Sequence, residues 1–196
     1  MCLGGPVGQE VVLEAIRILR EEHDVILRAL DILSVMAFAA DRGELPRHQD
    51  ATELLDFIRV YSDGAHHQKE EGMLFPAMER AGLPRTGGPL AVMLAEHEEG
   101  RDLVSRAAAA LAAPGLPADA ARAFGHTAGE FVGLMRHHII KENQVLFVIA
   151  EKRIGAEAAA ELDAAFAGAV AREGKVRRLH VTNLEALEAR YVKAVA

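Results

Sequence analysis

Two stretches of this chain repeat one another at a constant spacing, and the repeat constrains the fold more than any other feature. Lys69-Glu70-Glu71-Gly72-Met73-Leu74-Phe75 and Lys141-Glu142-Asn143-Gln144-Val145-Leu146-Phe147 both read K-E-x-x-x-L-F. In the same register His66 falls on His138, so each copy also carries H-x-x-x-E. Upstream of each lies an isolated Glu-His pair, Glu22-His23 and Glu96-His97, at nearly the same spacing. The pattern is that of a duplicated helical hairpin. Residues four apart share one helix face, so His66 and Glu70 can point at one site, as can His138 and Glu142.

The punctuation of the chain supports long helices. A helical pattern runs from about Gln9 to Ala40, with Val12, Ile16, Leu19, His23, Ile26 and Leu30 on roughly one face. Asp41–Gly43 ends it, and Pro46 suits the first turn of a second helix that runs to about Arg80, with Pro76 expected to kink or loosen its last part. Gly82, Pro84, Gly87, Gly88 and Pro89 make a loop. A third helix spans about Leu90 to Ala112. Pro114, Gly115 and Pro117 form the next break, and a fourth helix runs from about Ala118 to Arg153. No β-branched alternating run competes with this reading.

Short connectors make sequential helices antiparallel, so the expected fold is all-α, an up-down-up-down four-helix bundle. The organisation expected is a leader over 1–8, the bundle over 9–155 and a helical extension over 156–196. In the extension, Leu162, Phe166 and Val170 repeat every four residues, Gly174 breaks the pattern, and Thr182 with Glu185 has capping-box spacing. Two helices are therefore expected there, the second from about Asn183. The basic patch Lys175, Arg177 and Arg178 reads as solvated surface. The extension is expected to pack on the bundle or to serve as a homodimer surface.

Composition narrows the function. The chain has 196 residues, 51% hydrophobic and 26% charged, enough for a packed domain. Cys2 is its one cysteine, which excludes a disulfide framework and a thiolate zinc site. The net charge of −7 argues against a nucleic-acid partner. No stretch reaches the ~18 apolar residues of a membrane helix, and Met1–Gly8 does not read as a signal peptide, so the expectation is no membrane association and a cytoplasmic location. GxSxG, Walker A and GxGxxG patterns are absent, and whether the chain is an enzyme stays open.

The nine histidines carry the chemistry. A core with four imidazoles and two carboxylates needs a partner for each group, and a metal ion meets that need. The set is rich in nitrogen and oxygen and lacks thiolate, which suits iron, manganese or zinc. Two carboxylates can bridge two ions, as in the di-iron and di-manganese bundles, whereas one zinc would need only three or four of the six groups.

The order H…HxxxE…H…HxxxE, with its K-E-x-x-x-L-F segments, resembles the hemerythrin-like (HHE cation-binding) domain over about residues 10–153. The resemblance implies metal ligation by His23, His66, Glu70, His97, His138 and Glu142. It places one iron on His23 and His66 and the other on His97 and His138. Glu70 and Glu142 would bridge them, and an oxo or hydroxo group would complete the bridge. Oxygen-carrying hemerythrins have two histidines one turn apart on the third helix. Here the positions four away from His97 are Met93 and Arg101. The resemblance is therefore closer to the four-His, two-Glu di-iron proteins implicated in nitric oxide and oxidative stress and in iron–sulfur repair. It implies a non-haem di-iron protein that binds, senses or processes a small oxidant: O2, NO or peroxide. Iron handling, iron–sulfur cluster repair and a metal-stabilised interaction module are the alternatives. Repair proteins usually carry a cysteine-containing N-terminal domain, and the leader here offers Cys2 alone.

Several neighbours are candidates to touch the ligands from outside. His67 and His137 are rim residues, proton donors or substitute ligands, and a swap between His137 and His138 stays open. Glu22 and Glu96 are either solvated or accept a hydrogen bond from a ligand imidazole. Tyr61 either approaches the centre or is ordinary core. Leu74, Phe75, Leu146 and Phe147 form the apolar wall. His48, His126 and His180 are expected at the surface.

Overall fold

A computed structural model describes residues 13–44 and 46–193. The leader with Cys2, and Val12 of the first apolar face, lie outside the described residues. All regular structure among the described residues is helical. Helix α1 is Glu14–Asp41, α2 covers 48–80, α3 is Pro89–Leu111, α4 covers 118–153 and α5 is Ala156–Tyr191. Helix α1 packs against α2 and α4, α3 packs against the same two, and α5 lies along α1 and α2.

The stripe expected on α1 faces inward: Ile16, Leu19, His23, Ile26 and Leu30 are all buried. Helix α4 crosses α1 at Gly125, where a Cβ would meet the Ala37 carbonyl oxygen at 2.9 Å. Only a residue without a side chain allows that approach. Gly88, with φ +82°, precedes the first turn of α3 in a conformation that favours glycine.

Two apolar clusters divide the interior. One contains Leu19, Phe75, Met93, Leu146, Phe147 and Phe166, and the other Ile26, Tyr61, Leu103, Met135 and Leu184 among others. The histidines and glutamates of the repeat fall between these clusters on each of α1 to α4, so apolar packing above and below encloses a polar layer.

One expectation is corrected and one refined. The extension is one continuous helix, Ala156–Tyr191, rather than two. Gly174 costs about 1 kcal/mol relative to alanine in a helix interior. Burial of Leu162, Phe166 and Ala169 on one side of it, and of Leu184 and Leu187 on the other, outweighs that cost. Thr182 therefore lies within the helix and caps nothing. Helix α2 also differs from a simple proline kink. It widens into π-helical turns at Ile58–His67 and Glu70–Leu74, the latter just before Pro76. The same wide turn recurs in α4 at Glu142–Leu146, where Val148 holds the place equivalent to Pro76. The turn therefore travels with K-E-x-x-x-L-F and not with the proline. Single π turns inside α-helices concentrate at functional sites.

Candidate metal centre

The polar layer gathers side chains from four helices. His23 comes from α1, His66 and Glu70 from α2, His97 from α3, and His138 and Glu142 from α4, and each is at most 1% exposed. The imidazoles form two pairs. His23 and His66 have ring centroids 4.6 Å apart, and His97 and His138 4.8 Å. Each carboxylate spans both pairs. Glu70 has Oε1 3.6 Å from His66 Nε2 and Oε2 3.5 Å from His97 Nε2. Glu142 has Oε2 3.0 Å from His23 Nε2 and Oε1 3.3 Å from His138 Nε2.

The outward ring nitrogens are all engaged. His66 Nδ1 donates to Glu22 and His138 Nδ1 to Glu96, each at 2.9 Å. His23 Nδ1 lies 3.1 Å from Asn143 Oδ1, and His97 Nδ1 donates to Glu71 at 2.7 Å. A carboxylate can only accept, so His66, His97 and His138 carry a proton on Nδ1 and turn Nε2 inward, whereas His23 donates Nε2–H to Glu142 in the metal-free chain. Metal-binding histidines are oriented in this way. The four outer partners obey the repeat: Glu22 matches Glu96, and Glu71 matches Asn143. Lysines at matching positions brace two of them, Lys69 at Glu22 and Lys141 at Glu96.

The interior of the layer is short of hydrogen bonds. Both oxygens of Glu70 and Oε1 of Glu142 are buried without a hydrogen-bond partner. His97 Nε2 and His138 Nε2 face one another at 3.1 Å. Groups left this way are costly in a protein interior, and cations between them would satisfy them. The donor set thus fits metal ions.

Electrostatics differ across the layer. Burial and the Glu142 carboxylate push the Glu70 pKa well up. Burial alone would raise Glu142 too, but the charge of the nearby His138 and the hydrogen bond from His23 hold it well down. Burial would lower His138, yet Glu142 and Glu96 overcome it and raise its pKa to about 9. At His66 burial prevails over the hydrogen bond to Glu22 and lowers the pKa to about 4. Burial would raise Glu22, but the bond from His66 and the charges of Lys69 and Arg177 bring it down to about 2.

His67 is buried and turned toward the second pair. One nitrogen of His67, with ligand atoms of Glu70, His97 and His138, forms a group whose members lie within 4.8 Å of each other. A second such group is His23, His66, Glu70 and Glu142, so Glu70 belongs to both. The His67 ring stacks on His97 at 3.8 Å. Burial lowers its pKa to about 3 against the pull of Asp63. A cavity of about 320 Å³ lies between α2 and α3, lined by His67, His97, Ser62, Asp63, Arg101 and Phe131 among others, and it reaches this side of the layer.

His137 is exposed and bonds the Gly133 carbonyl, whereas His138 is buried in the layer. Tyr61 is buried on the α5 side of α2, stacked on Phe57, with burial raising its pKa to about 12. His48 and His126 are exposed as expected. His180 is not at the surface: it is half-buried, edge-on to Phe57. Arg177 is not part of a solvated patch either, because it donates to the buried Glu22.

Sequence reasoning did not assign Glu71, Asn143, Lys69, Lys141, Arg101 or Arg177. The first four stand inside the repeated motif, and their matched positions were the available signal. Arg101 joins Glu71 to Asp63, which faces His67. No local spacing in the chain foretells that link.

A buried layer of imidazoles and carboxylates carried by four helices defines a helical cation-binding protein. Comparison with family models matches residues 14–150 to the hemerythrin HHE cation binding domain, and the chain belongs to that family. Comparisons with curated proteins and with solved structures gave no match. No described helix is long and apolar enough to cross a membrane.

Proposed function

We propose that this chain is a non-haem di-iron protein that binds, senses or processes a small oxidant such as O2, NO or peroxide. His23 and His66 hold one ion and His97 and His138 the other, with Glu70 and Glu142 bridging. His67 is a further nitrogen donor on the His97 side. When bound, the iron pair with its oxo or hydroxo bridge supplies the redox chemistry. The chain's own groups orient the imidazoles, exclude bulk water and lead a small ligand in through the cavity at His67 and Arg101. The reading includes an up-down-up-down bundle over about 9–155, followed by α5.

One observation carries the reading. Each of two buried carboxylates has one oxygen beside a histidine of either pair, and three of the four oxygens lack a hydrogen bond. A single ion would leave one pair of imidazoles and the far carboxylate oxygens unused. Near-complete burial of the layer favours a resident metal over a store that loads and delivers iron.

The test is metal content of untagged protein, with optical spectra before and after exposure to oxygen. Two irons per chain with near-ultraviolet bands of a bridged pair support the reading. One zinc, or no metal, overturns it.

A further inference from the structure

Helix α5 reaches the centre from beyond the residues that the family match covers. Glu173 and Arg177 lie one turn apart on it, at the level of the polar layer. Arg177 donates to Glu22 Oε1, while the other oxygen of Glu22 accepts from His66 Nδ1. Lys69 Nζ lies 3.2 Å from the same Oε1 and donates to Glu173 at 2.9 Å. The Arg177 guanidinium also covers the Tyr61 ring, 5.4 Å from its centroid.

The repeat supplies an internal control. Glu96 meets His138 and Lys141 as Glu22 meets His66 and Lys69. Among the described residues no α5 side chain joins Glu96. Lys141 is 40% exposed where Lys69 is 2%. The duplicated hairpins therefore build the same inner brace twice, and α5 clamps only one copy.

We propose that Arg177 is a positioning residue for His66. By clamping Glu22 it holds the His66 ring with Nδ1–H outward and Nε2 toward the bridging carboxylates, and so makes the His23/His66 position the tighter of the two. The ranking of positions rests on the di-iron reading above, whereas the orientation of His66 does not.

Two readouts test this. Arg177→Met keeps an apolar stem near Tyr61 and removes the fork, Arg177→Lys returns a charge, and Arg178→Met removes a neighbouring exposed cation. In the full metal-free chain, nitrogen-15 spectra should show His66 as the Nδ1–H tautomer, mixed in Arg177→Met and largely restored in Arg177→Lys. In anaerobic titration with ferrous iron, Arg177→Met should weaken the tighter binding step by roughly 10-fold, the lower end for loss of an outer partner, and spare the other step. An unchanged tautomer in Arg177→Met, or an equal effect of Arg178→Met, overturns the proposal. A shifted tautomer with both binding steps unchanged overturns the ranking. If the wild-type chain takes up no iron, the di-iron reading fails and the tautomer alone decides the role of Arg177.

Discussion

The two halves of the centre share one plan and differ in what surrounds it. In each, a histidine from the H-x-x-x-E motif donates to a glutamate that precedes the lone histidine, and a lysine braces that glutamate. The His23/His66 half is clamped by α5 through Arg177, and His23 leans on a neutral amide, Asn143. The His97/His138 half has the charged Glu71 in the equivalent place, a further histidine at His67 and a cavity at its edge. Duplication thus explains the common geometry, and later packing explains the asymmetry. Each half borders a cavity of similar size, about 310 Å³ at Glu22 and Arg177 and about 320 Å³ at His67 and His97, and of these only the second is lined by a histidine of the two pairs.

The strongest way to break this comparison is to remove what the halves share. Glu70→Ala with Glu142→Ala should abolish binding of both ions, and either single change should lower the content toward one. Elemental analysis that still finds two ions in the double variant would refute the bridging roles.

Exchanging the unlike outer partners should sharpen it. Glu71→Gln removes the negative charge behind His97 and is expected to weaken one binding step by roughly 10- to 100-fold. Asn143→Asp should strengthen the other step. Titration calorimetry showing no change in either variant would mean that the charge difference is immaterial.

Acidity should separate the halves in the metal-free chain. His66 has its pKa lowered to about 4 in the fold, against an ordinary 6.5. Between these values the unfolded chain binds the extra proton, so stability rises with pH across that window. His138 has its pKa raised to about 9, so its contribution is full below 6.5 and is lost as pH rises through 9. Urea denaturation across pH should therefore peak between these limbs. His66→Gln should shrink the acid limb, which His67 shares, and His138→Gln the alkaline one, to which the raised Glu70 adds. A profile that neither variant alters would contradict the electrostatic difference.

The smallest effect is expected at His137. It lies beside a buried histidine but is itself exposed. His137→Ala should leave metal content and unfolding midpoint within error of wild type, and lost metal would show that the layer extends beyond His138.

Much of the centre was legible because helix geometry is local. The register of His66 with Glu70 and of His138 with Glu142 needs only a 3.6-residue turn, and the repeat singles out these positions. His137 and His138 could not be told apart along the chain, because a turn of about 100° per residue leaves either within reach of a broad core face. The wide turns at Glu70 and Glu142 were also invisible, since apolar spacing does not distinguish π from α over a single turn. Gly174 misled because a local helix penalty was weighed without the apolar contacts on both sides of it. Glu22 was marked as a neighbour of His23, yet its bond is to His66 on another helix.

Residue type and spacing were sufficient for helices and for the nitrogen and oxygen character of the polar layer, because these follow from periodicity and side-chain chemistry along a single helix, while the places of His67 and His137 waited on packing. Packing alone decided which carboxylate oxygen faces which imidazole, which ring is backed by an amide and which by a charge, and that α5 clamps one half. Those are relations between residues as far apart in the chain as Glu22 and Arg177, and they exist only once the helices have been brought side by side.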